Sequence, residues 1–310
     1  MLNPKGDLAA VEVAFFAPAI CIAIFVVFRH GFAKNLGWLY LVVLSLLRII
    51  GASCTLYMES QNNYSAGLLE TAAITSAVGT APLLLALMGF LERIHAGMEH
   101  KGLSAMAFRP IHLAALAGLI IAIIGGVDEG HTDASDIKTG KELMEAASIV
   151  FLAIYLGLAA ITIWSVINIR WVLTAEKKLL QAGLLALPFL LVRLIYTVAA
   201  AFSTTGGVFY FRDVNVYVQA FMQFMMEAIV VSIFIFAGLL TPKMVKHELV
   251  EGSKDIESMP MDNLDGPTQE SGRMPRREQQ QAPRAQQQQQ RSLGEYRPSR
   301  LIMSAITHRQ

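Results

Sequence analysis

Seven stretches of about twenty mostly apolar residues recur along this chain, and no other feature limits its fold as much. A helix needs about 20 such residues to cross a hydrocarbon core of about 30 Å, and inside that core every backbone amide must bond within its own helix or barrel. The stretches lie at about 8–28, 37–57, 68–91, 111–127, 143–167, 179–202 and 216–240. The expected architecture is all-α: a polytopic membrane protein folded as a seven-transmembrane-helix bundle. The first stretch is as long as a span and has no basic segment before it, so it is expected to remain as a helix and not to be cleaved as a signal peptide.

Composition agrees. Hydrophobic residues make up 54% of the chain and charged ones 16%, against about 25% charged in a soluble globular protein. Before Pro242 there are 14 Lys and Arg against 15 Asp and Glu, a balance that excludes a nucleic-acid-binding body. Cys21 and Cys54 both fall inside apolar stretches, so neither a disulfide framework nor a thiolate metal site is expected.

Direction follows from basic residues in short loops, which stay on the cytoplasmic side. Alternate loops hold Arg29, Lys34, Arg93, Lys101, Arg109, Arg170, Lys177 and Lys178, whereas the opposite set holds only Lys5, Lys138, Lys141 and Arg212. Acids gather on that second side, most densely at Asp128, Glu129, Asp133 and Asp136. The N-terminus is therefore expected outside or in a lumen and the C-terminus in the cytosol. Asn63-Tyr64-Ser65 is a glycosylation sequon on the expected outer side, in a very short loop. Small residues at Ala114, Gly118, Ala122 and Gly126, and at Ala73, Ala77 and Ala81, are read as close-packing devices. Pro18, Pro82 and Pro188 are expected to kink their spans.

From residue 243 the chain changes character. It holds ten glutamines, including Gln286 to Gln290, and too few large apolar residues for a core, so a disordered Gln/Arg-rich cytosolic tail is expected over 243–310. Residues 248–270 carry seven acids and one Lys, and 271–310 carry eight Arg and two acids. The basic block, with the apolar patch Leu301 to Ile306, suits contact with anionic lipid on the cytoplasmic leaflet.

The informative residues are those a bilayer should reject. Arg48, Arg193 and Glu227 each lie about nine or ten residues from the expected outer end of their span, which at ~1.5 Å per residue puts them at one depth near the membrane centre. Three unpaired charges there would cost roughly 9 kcal/mol, so pairing is expected. Glu227 could take one Arg in a bidentate bond, leaving the other to find Glu12, Glu70 or Glu145. Asn215, Gln219, Gln223 and Glu227 are spaced by four, giving the last span a polar stripe. Tyr196 and Thr197 follow Arg193, Thr55 follows Arg48, and Glu145, Ser148 and Tyr155 share a face of the fifth span. The other halves of these helices are nearly all Leu, Ile, Val, Ala and Phe, which suggests an outward-facing polar cavity closed from below. The charged trio reads either as a register-fixing ion network or as a ligand site, and the two overlap, because a register-fixing ion pair can also be a switch that a ligand breaks.

Several chemistries are excluded. A retinal Schiff base needs a lysine in the middle of the seventh span, and none lies between Arg212 and Lys243. The seven histidines sit in loops, at span ends or in the tail, so neither a haem nor an intramembrane metal is expected. No nucleophile with a His base, no phosphate-binding loop and no dinucleotide fingerprint occurs. No cofactor and no enzyme activity is expected. Leu47-Arg48-Ile49-Ile50 echoes Val192-Arg193-Leu194-Ile195, as an inverted-repeat transporter would require, but the third and seventh spans do not align around the echo.

The run Arg29-His30-Gly31-Phe32 with Gly37-Trp38, then Leu47-Arg48-Ile49-Ile50-Gly51, Pro188-Phe189, Val192-Arg193-Leu194-Ile195-Tyr196 and Glu227, resembles an uncharacterised fungal family of seven-span integral membrane proteins, a domain of unknown function, over about residues 5–242. In layout the chain is also similar to the fungal lipid-translocating exporter family, without a clear copy of its opening motif. The first resemblance implies membrane residence and topology and brings no activity with it. The expected role is receptor-like or sensory, with Arg48, Arg193, Glu227, Gln223, Gln219, Tyr196, Glu70 and Glu145 as the candidate site for a small or lipid-like ligand. A transporter or lipid-translocating protein is the alternative. The expected location is the plasma membrane, with endoplasmic reticulum and vacuole open.

Overall fold

Long runs of Leu, Ile, Val, Ala and Phe offer the backbone no side-chain partner to compete with its own amides, and they form helices throughout. The computed structural model describes residues 4–31, 36–61, 65–98, 102–130, 134–174, 176–203 and 215–241, and these contain no strand. The tail from 242 and the sequon at Asn63 lie outside the described residues. In chain order the elements are α1 (Pro4–His30), α2 (Leu36–Gln61), α3 (Ala66–Val78), α4 (Thr80–Ala96), α5 (Ala105–Gly130), α6 (Ala134–Ile167), a 3-10 turn at Ile169–Trp171, α7 (Lys177–Ala201), α8 (Val216–Gln219), a π-helical turn at Ala220–Met225, and α9 (Met226–Leu240). With α3 and α4 taken as one broken span, and α8 to α9 as another, seven helices are long and apolar enough to cross a membrane.

Two boundaries differ from the apolar stretches in an instructive way. Helix α6 begins at Ala134, well before 143, because a polar helical segment precedes the apolar one: Thr139 bonds the Ser135 carbonyl at 3.1 Å and Lys138 pairs with Glu142 at 4.0 Å. Hydropathy cannot see turns held by such i,i+4 contacts. Helix α5 begins at Ala105, with Pro110 inside its opening turns.

The third span breaks at Gly79. Proline at 82 has no amide hydrogen and its ring crowds the carbonyl four residues back, that of Val78, where α3 ends. Below the break, α4 is the axis of the bundle: it touches α2, α5, α6 and α7, and its span is 89% buried where the other six spans are 28–44% buried. Gly118 lets α5 and α6 approach closely, since a Cβ there would sit 3.0 Å from the Phe151 ring.

We call the half of the bundle that holds the start of α1 the head, and the half that holds the end of α9 the base. The base is sealed. Trp38 stacks on His30 at 5.6 Å and meets Phe90 at 4.3 Å, and Phe90 meets Phe234 at 4.9 Å. Helix α1 ends at Gly31, whose φ of 88° suits a residue without Cβ. Just before it, Arg29 Nη1 donates to the Leu239 carbonyl and His30 Nε2 to the Gly238 carbonyl, each at 2.8 Å. These are among the carbonyls that a helix end leaves without an intrahelical partner, so α1 caps α9. On α4, Arg93 makes a forked bond to Glu176, Nε at 3.0 Å and Nη2 at 2.8 Å from Oε1, with both side chains buried. His95 Nδ1 accepts from the Leu103 amide at 3.3 Å, which leaves Nε2 to donate to Ser165 Oγ at 3.1 Å, while the Ser165 proton goes to the Ile161 carbonyl.

Candidate functional site

The three charges expected at one depth meet at one point. Helices α2 and α7 both pack against α9, and Glu227 in the first turn of α9 lies between their arginines. Arg48 Nη2 and Arg193 Nε each donate at 2.5 Å to the same oxygen, Glu227 Oε1. Arg48 is 5% exposed, Arg193 2% and Glu227 0%, so the cluster is cut off from bulk solvent. The expectation of one bidentate pair and a second arginine sent elsewhere is corrected here. Both guanidiniums approach the carboxylate, neither is bidentate, and Glu227 Oε2 and Arg48 Nε are buried without a hydrogen-bond partner among the described residues.

The broken third span seats both arginines. A Cβ on Gly79 would stand 2.5 Å from Arg48 Nη2 and 3.0 Å from its Cζ, so the guanidinium rests where the chain has no side chain. The next residue, Thr80, reaches the other arginine through Thr197: Arg193 Nη1 donates to Thr197 Oγ1 at 2.6 Å, and Thr80 and Thr197 hydroxyls meet at 3.1 Å. Since the Thr197 proton bonds the Arg193 carbonyl at 3.1 Å, Thr80 is the donor. Tyr196 lays its ring 5.7 Å from the Arg193 guanidinium carbon, a cation–π contact.

Toward the head, polar side chains divide the space into two clefts. One, of about 50 Å³, is floored by Arg193 with Tyr196, Thr197 and Gln223, and has Glu129 and Lys141 toward the head end. The second, of about 40 Å³, is floored by Arg48 with Glu12, Thr55, Thr75 and Gln219. Each has room for a few waters. Ser76 and Gln223 line both, and Gln223 Nε2 donates to Ser76 Oγ at 3.3 Å, so that bond is their common wall. The single open cavity read from the sequence is thus two clefts.

Gln223 stands on the π-helical turn. A four-residue spacing overshoots one α-turn and drifts around the helix, and the wider π-turn counters that drift, keeping Gln219, Gln223 and Glu227 on one face. Asn215 leaves the stripe: its side chain accepts from the Tyr217 amide at 3.0 Å and caps α8. Glu70 and Glu145 are half-buried and line neither cleft. Ser148 turns back to the Glu145 carbonyl at 2.8 Å, and Tyr155 donates at 3.0 Å to the Leu187 carbonyl beside Pro188. None of these four lines either cleft.

Glu12 is the residue that the sequence named only as a stand-by partner. It is 8% exposed on α1 and lines the Arg48 cleft. Gly79, Thr80 and Ser76 were not singled out from sequence. Their signal, a glycine three residues before a proline in an apolar span with hydroxyls on either side, becomes visible only beside the arginines. Among the described residues no group of His, Cys and acidic side chains is placed to hold a metal ion.

Seven helices long and apolar enough to cross a membrane, packed around a buried charge cluster, suggest a multi-pass membrane protein. Comparison with family models goes further: residues 2–244 match the domain of unknown function DUF7702, and the chain belongs to that family. No curated protein matches it.

Proposed function

We propose that this protein is a receptor-like or sensory membrane protein whose head clefts recognise a small or lipid-like ligand from outside the cell. One observation carries the reading. Two buried guanidiniums share a single carboxylate oxygen, and each floors a polar cleft at the head while the base is filled with aromatic rings and one forked ion pair. Glu227 Oε2 and Arg48 Nε have no protein hydrogen-bond partner among the described residues, so the cluster keeps bonding capacity that a ligand or a water could take up. The loop-charge asymmetry supports a head facing outward and a tail in the cytosol, and the plasma membrane is the proposed location.

The second reading is transport or lipid translocation. It draws on the break at Gly79, because discontinuous helices beside buried charges are a recurrent feature of transporter binding sites. The two readings differ in access. In a chain with Cys21 and Cys54 replaced, single cysteines at Ala77 and Ala200 in the cleft over Arg193 would be labelled with a membrane-impermeant thiol reagent from each side. Labelling from outside only supports the receptor-like reading; labelling from both sides replaces it with alternating access.

A further inference from the structure

Arg48, Arg193 and Glu227 together leave one positive charge over in the core, and the charge that balances it comes from α1. Glu12 stands there, 8% exposed, on the lining of the cleft that Arg48 floors. With Glu12 ionised, two cations meet two acids. Glu12 makes no hydrogen bond and no ion pair with any described residue, so it balances the cluster from across the cleft and not by contact. The charged and titratable groups within its electrostatic reach are Arg48 on α2, Glu227 on α9, and Arg193 and Tyr196 on α7. The other elements around the cleft present neutral groups to it: Thr75 and Ser76 from α3, Gln219 from α8 and Gln223 from the π-helical turn. Asp7 and Tyr217 line a separate groove with Phe221 and Phe224.

A buried carboxylate in that position has two states of opposed merit. Ionised, it cancels the excess charge of the cluster but keeps its own charge away from water with no donor in contact, which is costly. Protonated, it escapes that cost and leaves Glu227 alone against two guanidiniums. Glu227 differs, because both guanidiniums donate to it and its charge holds them. The volume of the cleft fits nothing larger than water. About 40 Å³ has room for a few waters, which are what a proton needs to travel. A metal cation would have to sit beside the Arg48 guanidinium, and an added anion would unbalance a cluster that is already neutral.

We propose that Glu12 is a proton-binding site, loaded through water in the cleft over Arg48. In the step, an O–H bond of a hydronium ion in the cleft breaks, an O–H bond to a Glu12 carboxylate oxygen forms, and a neutral water stays behind. The protonated side chain no longer draws Arg48 toward α1, and the two guanidiniums are left to share Glu227. Helix α1 also caps the end of α9 through Arg29 and His30, so a change in its seating reaches both ends of the last span. The inference goes beyond the ligand-recognising reading and stands with either form of it, since a proton can be a signal to a receptor or a coupling ion to a transporter.

The test is infrared difference spectroscopy of the full chain in nanodiscs, reading the carbonyl stretch of a protonated carboxyl group. The buffer is acidified from about pH 8 to about pH 5.5, a range in which solvent-exposed carboxylates, which protonate near about pH 4, stay ionised. The expected result is a band that grows on acidification, disappears when the pH is restored and is absent from Glu12→Gln. Ala72→Leu fills the cleft without altering any charge, and the band should then grow severalfold more slowly after a pH jump. If Glu12→Gln yields no folded protein, Ala72→Leu decides alone. No band in the native chain, a band that Glu12→Gln keeps, or a rate that Ala72→Leu leaves unchanged would each overturn the proposal. Failure of the ligand-recognising reading has a different signature, two-sided labelling in the accessibility experiment.

Discussion

Gln223 donates to Ser76 across 3.3 Å, and that one hydrogen bond separates the cleft over Arg193 from the cleft over Arg48. Both residues are uncharged, yet they stand between the two guanidiniums that compete for Glu227. Ser76→Ala removes the acceptor and leaves a buried amide to find water in the clefts. The expected loss is about 1 kcal/mol, the net worth of a neutral hydrogen bond. It should be read as a lower melting temperature in detergent, with an impermeant reagent now reaching a cysteine at Ala72 in the Arg48 cleft at a higher rate.

Glu227→Gln tests the charge cluster itself. Breaking a buried ion pair by removing one partner costs about 3–5 kcal/mol, because the remaining charge is stranded. Here two arginines are stranded together. The yield of monodisperse protein on size exclusion should fall severalfold, or ligand response should vanish with yield preserved. If both yield and response stay unchanged, the carboxylate is not what holds the arginines in the core.

Gly79→Ala asks whether the break in the third span exists for Arg48. The added methyl would stand 2.5 Å from Nη2 of a guanidinium held by Glu227, so the arginine or the helix end has to move. Gly157→Ala is the control, since a Cβ there meets nothing within 4 Å and alanine is the better helix former by about 1 kcal/mol. Expected melting temperatures fall for the first and hold or rise for the second. Equal behaviour would mean that the guanidinium has space the structure does not show.

How much of this was legible in the sequence follows from what each signal measures. Hydropathy found seven spans, because crossing length and apolar composition are properties of single segments. It missed the polar opening of α6, where Ser135–Thr139 and Lys138–Glu142 contacts carry the helix past the apolar stretch. The depth of Arg48, Arg193 and Glu227 could be counted along their helices, and that count was enough to bring them together. Their bonding pattern could not, because it depends on Gly79 giving Arg48 a seat and Thr197 holding one edge of Arg193. Glu70 and Glu145 carry the right charge nearer the expected outer surface, but they lie on faces that sequence spacing cannot orient. The Arg93–Glu176 pair was hidden for the opposite reason. Both residues fall at span ends, where positive-inside bias reads a basic residue as topology, and only the fold shows them forked and buried.

That pair supplies a further prediction. Arg93→Lys keeps the charge and loses the fork, and a lysine ammonium cannot reproduce two parallel bonds to Glu176. Arg93→Met loses the charge too and strands Glu176 at 2% exposure. The order of melting temperatures should be native, then Lys, then Met, with the Met variant down by about 3–5 kcal/mol as expected for a broken buried pair. A Met variant as stable as the Lys variant would show that packing and not charge holds the base.

The end of α9 is where the bundle hands over to the residues that follow, and two side chains of α1 grip it. Arg29 and His30 donate to the carbonyls of Leu239 and Gly238, groups that the α9 helix cannot satisfy itself. Thr241 adds a third tie, its hydroxyl to the Ala237 carbonyl at 2.7 Å. If these contacts fix the last span, residues beyond 250 are not needed to hold it, and a chain lacking 250–310 should insert and melt like the full chain. Arg29→Gln in that shortened chain should lower stability by about 1 kcal/mol, the scale of a cationic cap on a helix C-terminus. The effect should be the same size in the full chain. Loss of insertion on truncation alone, or an Arg29 effect seen only with the tail present, would mean that the tail and not α1 holds α9 in place.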